Sequence, residues 1–241
     1  MPGFFRRSTP ATGTNSPVTS LIVFTFPADE RVWAFLQMAW ARPLLLNVPG
    51  LRFKKMMGSG LGKVFSLKPD WGRYALLAVW EDETSARNFL EKSAFMRRYS
   101  KHAERVAWIL LGTISAHGKW SGQNPFLPVA ENTSAQDIRP IAILTRATIR
   151  PYRLRAFWRQ AIYPSELLET APGLISSIGI GEAPFVRQAT FSTWESLEDV
   201  QNFAYRSKEH SETIKLTRSM KWYSEELFAR FYIIDQTPRF P

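Results

Sequence analysis

What most limits the possible folds of this chain is an internal repeat. VPGL at residues 48–51 is matched by APGL at 171–174, and Gly58-Ser59-Gly60 is matched by Gly179-Ile180-Gly181. A strand-like run ending in Trp80 has a counterpart ending in Trp194, and an acidic residue follows each, Glu81 and Glu195. Phe89 and Phe203 each lie nine residues beyond their tryptophan. Self-similarity of this kind marks one supersecondary unit used twice. A fold built from two such units must also deal with the open edges of both their sheets.

The unit can be read from its hydrophobic periodicity. SLIVFTF from Ser20 is β-branched and aromatic, as a buried strand is. ADERVWAFLQMAWAR follows, with Val32, Phe35, Leu36 and Ala39 at helical spacing, Asp29 as candidate N-cap and Arg42 near the C-terminus. Asn47, Pro49 and Gly50 make a turn, and LRFKKMMGSG is a strand ending in glycines. Arg73 to Trp80 is a further strand, ETSARNFLEKSAFMRRYSKHAER a helical run, and VAWILLGTISA a last strand. The order β-α-β-β-α-β is the split βαβ, ferredoxin-like plan. From Pro140 it recurs: PIAILTRATI, YRLRAFWRQAI, LISSIGIG, QATFSTW, a helical SLEDVQNFAYRSKEHSETIKLTRS and ELFARFYIID.

These readings divide the chain into a Pro/Ser/Thr/Gly-rich, disordered tail at 1–19, a module at 20–116, a polar linker at 117–139 and a second module at 140–241. The expected fold class is α+β. Tandem ferredoxin-like modules lay their sheets together as a pseudo-dimeric α/β barrel, leaving a space between each sheet and its helices.

Composition excludes whole classes of chemistry. With no cysteine there is no disulfide, thiolate metal site or cysteine nucleophile. The only histidines are His102, His117 and His210, so a multi-histidine metal site would need nearly all of them, and a site using one is more plausible. The longest apolar runs, YALLAVW and VAWILLG, are far short of the roughly 18 residues of a membrane-spanning helix, and a cytoplasmic location is expected. The net charge of +10 favours acidic partners or an anionic surface, with an evenly basic, solvated surface as the plain alternative.

The repeat singles out His210. In the frame that aligns the tryptophans, Met96 stands opposite it, so the two copies differ there. On a continuous helix His210 shares a face with Phe203, Ile214 and Thr217, and Arg206, Lys208, Lys215, Arg218 and Lys221 flank it. A lone histidine on a polar helix is more often solvated than a ligand, and most of these basic residues read as a solvated face. His102 reads as a surface residue, and His117, opening the linker, as a candidate for a pocket mouth. GSGLGK at 58–63 lacks the spacing of a phosphate loop and reads as glycines at a strand bend. The nine tryptophans and seventeen phenylalanines supply core, with some available to line an apolar pocket.

Five segments carry a family resemblance: GLRFKKMMGSG, SAHGKWSGQNPF at 115–126, LTRATIRP at 144–151, IGIGEAPFVRQATFSTW at 178–194 and EELFARF at 225–231. Together they resemble the spheroidene monooxygenase family of carotenoid biosynthesis, over nearly the whole chain from Ser20. His117 stands where that family tends to have arginine, and Arg187 where a histidine is expected. The resemblance implies a haem b (iron) monooxygenase acting on an apolar substrate, an acyclic carotenoid, with dioxygen and an electron donor such as a ferredoxin. It implies His210 as axial iron ligand and cofactor-binding residue. Arg218 is a candidate for a propionate, and Arg146 a candidate catalytic residue of the distal pocket or a propionate partner, with a solvent-exposed strand-end arginine as its alternative. Peripheral contact with a membrane is expected, and no nucleic acid. Alternatives are dehydratase or peroxidase-like haem chemistry on the same scaffold, or a haem or apolar-ligand carrier without turnover.

Overall fold

The structure, a computed structural model, describes residues 16–62, 68–128, 140–159, 168, 170–183, 185–206, 222–238 and 240. Its strands are β1 (Val18–Thr25), β2 (Leu51–Gly60), β3 (Pro69–Trp80), β4 (Arg105–Gly118), β5 (Ile141–Ile149), β6 (Leu174–Ala183), β7 (Arg187–Trp194) and β8 (Tyr223–Gln236). They close into one barrel in the order β1-β3-β2-β6-β7-β5-β8-β4. Every neighbouring pair is antiparallel. The expected tandem modules and their barrel are therefore present, with β1–β4 one module and β5–β8 the other.

The repeat holds down to single hydrogen bonds. Leu51 pairs with Trp80 and Leu174 with Trp194, and a bulge follows at once in both places. Glu81 N–H donates to the Gly50 carbonyl and Glu195 N–H to the Gly173 carbonyl, each at 2.8 Å. Trp80 packs on Phe89 with centroids 4.8 Å apart, and Trp194 on Phe203 at 5.5 Å. Gly58-Ser59 of β2 pairs with Ile180-Gly181 of β6 at a seam of the barrel, and the strand registers make Gly181, not Gly179, the counterpart of Gly58, a shift of two from the match read in the sequence. Ser59 Oγ fastens that seam by donating to the Gly179 carbonyl at 2.9 Å.

Strands buried on both faces explain the unbroken apolar runs. Leu21 and Val23 of β1 point into the barrel with Leu77, Ile109, Leu144, Phe191 and Phe231. Ile22 and Phe24 point the other way, into a second core. That core is covered by α1 (Arg31–Trp40), α2 (Glu83–Lys92) and α3 (Ala94–His102). The second module carries α4, which contains residues 154–159, and α5 (Leu197–Arg206).

Four expectations are corrected in detail. The run from Glu83 is two helices: Ser93 is extended, with ψ 147°, and its hydroxyl accepts from Met96 N–H to cap α3. Asp29 does not cap α1; a 3-10 turn at Ala28–Glu30 comes first, and Glu30 is the capping residue, without a side-chain bond. The apolar spacing of α1 faces outward: Ala34 and Gln37 are buried, whereas Val32 is 71% and Phe35 52% exposed. The proposed tail and linker boundaries also shift, because β1 begins at Val18 and β4 runs to Gly118. Beyond Gly118, residues 119–126 fold onto the barrel, and Trp120 and Phe126 join the barrel core, fully buried.

Gly50 and Gly173 are conformationally required. Both have positive φ, +72° and +76°, and a Cβ at either would overlap the first turn of the next helix, at Ser85 or Asp199. Gly50→Ala and Gly173→Ala are each expected to lower stability by about 1–3 kcal/mol, the cost of a non-glycine residue in this region. Shifts in the denaturant midpoint measure it, with an unchanged slope showing that the fold is retained.

Candidate functional site

Aligning the copies on their tryptophans makes Val18 equivalent to Ile141, since these residues pair with Trp80 and Trp194. The helix-facing side of each sheet can then be compared residue by residue. In the first module Ile22, Phe24, Leu76 and Leu110 are fully buried against the aromatic side chains Phe89, Phe95 and Tyr99. Their second-module counterparts are Thr145, Ala147, Thr190 and Arg230. Met56 is replaced by Gly179 in the same way. At these five positions the first copy carries large apolar groups, and the second carries four short residues and one arginine.

Two polar atoms on the second face are buried without a hydrogen-bond partner among the described residues: Thr190 Oγ1 and Arg230 Nε. Unpaired buried polar groups are costly and rare. Arg230 is half-buried, and its guanidinium lies 5.4 Å from the Phe228 ring centroid. A flat floor of small residues with a cationic edge fits a planar apolar group that carries carboxylates. Sequence reading missed Arg230, although EELFARF contains it; the clue was the substitution of an arginine for Leu110 in the repeat.

Inside the barrel, at the end covered by residues 119–126, sits a compact ionic cluster. Glu182 accepts from Lys55 Nζ at 2.7 Å and from Trp120 Nε1 at 2.6 Å. Arg146, 3% exposed, pairs with Glu182 at 3.4 Å and with Glu225 through its other terminal nitrogen. Glu225 also accepts from the backbone N–H groups of Gly122 at 2.7 Å and Ser121 at 3.1 Å. The Arg146 guanidinium stacks toward Trp120, 5.5 Å from its centroid. Burial pushes the Glu182 carboxyl up, but hydrogen bonds from Lys55 and Trp120 and the charges of Lys55 and Arg146 leave it below its ordinary value. Glu225 behaves likewise: desolvation raises it, while the Gly122 and Ser121 amides and Arg146 bring it below the usual range.

This barrel has close relatives. It is 39% identical over 217 residues to the spheroidene monooxygenase of Cereibacter sphaeroides, covering 89% of this chain and 66%, just under two thirds, of that protein. It is 36% identical to the spheroidene monooxygenase of Rhodobacter capsulatus, with 90% of both chains covered. With that of Rubrivivax gelatinosus the identity is 33%, over 92% of this chain and 84% of the other. The chain belongs to the spheroidene monooxygenase family. No protein-family model matches it. Among solved structures, an aldoxime dehydratase in complex with butyraldoxime superposes with a TM-score of 0.61 at 10% identity, over 92% of this chain and 82% of that one. A second aldoxime dehydratase gives 0.59, also at 10% identity, over 91% and 82%. These two share the fold.

The site residues expected from the sequence fall in different places. His210 and Arg218 lie in 207–221, outside the described residues. Arg146 faces the barrel interior, on the opposite side of β5 from Ile143 and Thr145, held by two carboxylates rather than exposed at a strand end. His102 is more than a surface residue: its Nδ1 lies 3.0 Å from Glu30 and its ring stacks on Trp33 at 3.9 Å, joining α3 to α1. His117 is exposed on β4, paired with Phe228 of β8.

Removing Arg146 leaves Glu182 and Glu225 without their shared cation, so Arg146→Met is expected to cost about 3–5 kcal/mol. Adding Glu225→Gln should recover part of the loss, a coupling that a double-mutant cycle measures. The pH dependence has a definite sign. Both carboxyls titrate below their ordinary 4.5 in the folded chain, so their contribution is complete above that pH and is lost as pH falls through the lowered values. The double variant Glu182→Gln/Glu225→Gln should be less stable near neutrality, yet lose less stability from about pH 5 to about pH 3. Thermal unfolding across that range is the measurement.

Proposed function

We propose that this protein is a haem-dependent monooxygenase that oxidises an acyclic carotenoid, with His210 as the residue that would hold the haem iron. The observation that carries this reading is the contrast between the two copies of that layer. Met96, the counterpart of His210, is buried in α3 within the cluster that contains Phe24, Leu76 and Leu110. In the second module the counterparts of those three are Ala147, Thr190 and Arg230. The copy whose sequence carries the histidine is also the copy with the smaller groups at these positions.

Haem, when bound, would supply the iron chemistry that activates dioxygen. In this reading the chain's own residues do the rest. Ala147, Gly179 and Thr190 give a flat floor close to the backbone. Arg230 offers its unpaired Nε to a carboxylate, and Arg218 is a second candidate for that role. Trp194, Leu197 and Ile143 form an apolar cluster at one end of the layer that excludes water. Arg146, held on the barrel side of β5, positions the strand that carries Thr145 and Ala147. The carotenoid named by the relatives supplies the substrate class, and a small redox protein such as a ferredoxin supplies electrons. The substrate is dissolved in a membrane, so the enzyme meets it at a bilayer surface.

Haemin titration of the purified protein tests this directly. Wild type and His102→Ala should develop the same Soret band, His210→Ala should not, and a native-like spectrum in His210→Ala would sink the assignment. A second experiment restores the first module's bulk. The triple variant Thr145→Ile/Ala147→Phe/Thr190→Leu should lose haem binding while its unfolding temperature in the haem-free state holds or rises. Dioxygen-dependent conversion of an acyclic carotenoid by wild type then separates an oxygenase from a haem carrier.

A further inference from the structure

We propose that the exposed side of α1 and the turn after it form the surface by which this protein sits on an anionic lipid bilayer. This deepens, and rests on, the reading of a membrane-dissolved substrate, since it names the face that reaches the membrane. The starting observation is that α1 is apolar on two sides: Ala34 is buried and Trp33 and Met38 pack against the core, yet large apolar groups also face solvent. Its buried side offers Ala34 and Gln37, and Gln37 accepts a hydrogen bond from Arg98 Nε at 3.0 Å. Its solvent side offers Val32 at 71%, Phe35 at 52% and Trp40 at 64% exposure. At about 100° per residue Val32, Phe35 and Trp40 span one arc of about 140°.

The strip continues past the helix. Trp71, 54% exposed at the start of β3, packs edge-on against Phe35 with centroids 5.6 Å apart. Leu46, after the turn that follows α1, is 63% exposed. Contiguous exposed apolar side chains of this size mark an interaction surface. Three features point to a bilayer as the occupant. Aromatic groups with a polar edge, Trp40 and Trp71, flank aliphatic ones, as in residues that seat at the headgroup level. The helix is ten residues, about 15 Å, and no helix among the described residues is long and apolar enough to cross a membrane, so α1 lies along the surface.

The third feature is charge. Arg31 and Arg42 stand exposed at the two ends of the strip, and α3 sets exposed Arg97, Arg98 and Lys101 along its flank without one acidic residue. Of the nearby carboxylates, Glu30 is engaged by His102 and Asp70 by Arg73, which leaves Asp29, before the first turn, as an exposed acidic group against five exposed cationic ones. An apolar strip inside a cationic rim complements a layer of anionic headgroups.

Flotation with vesicles tests the proposal, using the full chain without added haem or carotenoid. The protein should float with vesicles of equal parts phosphatidylcholine and phosphatidylglycerol, and weakly with phosphatidylcholine alone. Phe35→Ser/Trp40→Ser/Trp71→Ser should reduce the bound fraction by about tenfold, and Arg31→Gln/Arg42→Gln should abolish the preference for anionic lipid. The control Tyr152→Ser/Ile175→Ser, which removes exposed apolar groups from the second module, should bind like wild type. Equal binding by the triple variant and wild type would overturn the proposal. So would a second copy as occupant, seen as a wild-type dimer that the triple variant dissociates and that does not float. Because the assay reads no turnover, vesicle binding without carotenoid oxidation would refute the proposed function alone, and oxidation in detergent without vesicle binding would refute this surface alone.

Discussion

Everything else in this protein depends on the closure of two four-stranded sheets against each other. A single β-α-β-β-α-β module leaves two strand edges unpaired, and an unpaired edge invites aggregation. Here β4 of one module pairs with β8 of the other, and β2 with β6, so neither sheet has a free edge. One face of every strand then belongs to a shared interior, filled by side chains from both copies. Only the opposite faces remain for each module to use in its own way.

That division makes the asymmetry between the copies affordable. The first module spends its outer face on packing: Phe24, Phe95 and Tyr99 interlock there, with Phe95 and Tyr99 stacked at 4.2 Å. Burial on that scale is worth roughly 1.5–3 kcal/mol for each large side chain. The second module gives up most of this gain where Thr145, Ala147 and Thr190 stand, which is tolerable because the closed barrel and the other face supply the missing stability. Short side chains on a stable scaffold are a usual setting for a ligand site.

The repeat, the order of elements and the barrel were legible in the sequence because the turn glycines, tryptophans and alternating apolar runs are local signals. The orientation of α1 was not. Val32, Phe35, Leu36 and Ala39 have the spacing of a buried stripe, and periodicity reports that a stripe exists, not what it faces. Trp120 was hidden for a related reason: the polar, glycine-rich composition around it describes a loop correctly, but not that the loop folds back into the core. The ionic cluster was invisible because Lys55 and Glu182 are 127 positions apart and only the closed barrel brings them together. Arg230 was legible in principle, since a leucine-to-arginine change between two copies of a buried strand position has no packing explanation.

The ionic cluster and the cleared face are two sides of the same strands. Arg146 on the inner side of β5 is fixed by Glu225 of β8 and Glu182 of β6, strands that flank the β5–β7 pair. Thr145 and Ala147, its neighbours in sequence, necessarily point to the outer side. Arg230 reaches that outer side from β8, five residues along the strand from Glu225 and paired to Ile143. That outer side is held from behind by an arginine with two carboxylate partners and by a strap whose amides cap one of them. The barrel side thus holds in place the strands that carry Thr145 and Ala147, and a face held in this way is preorganised.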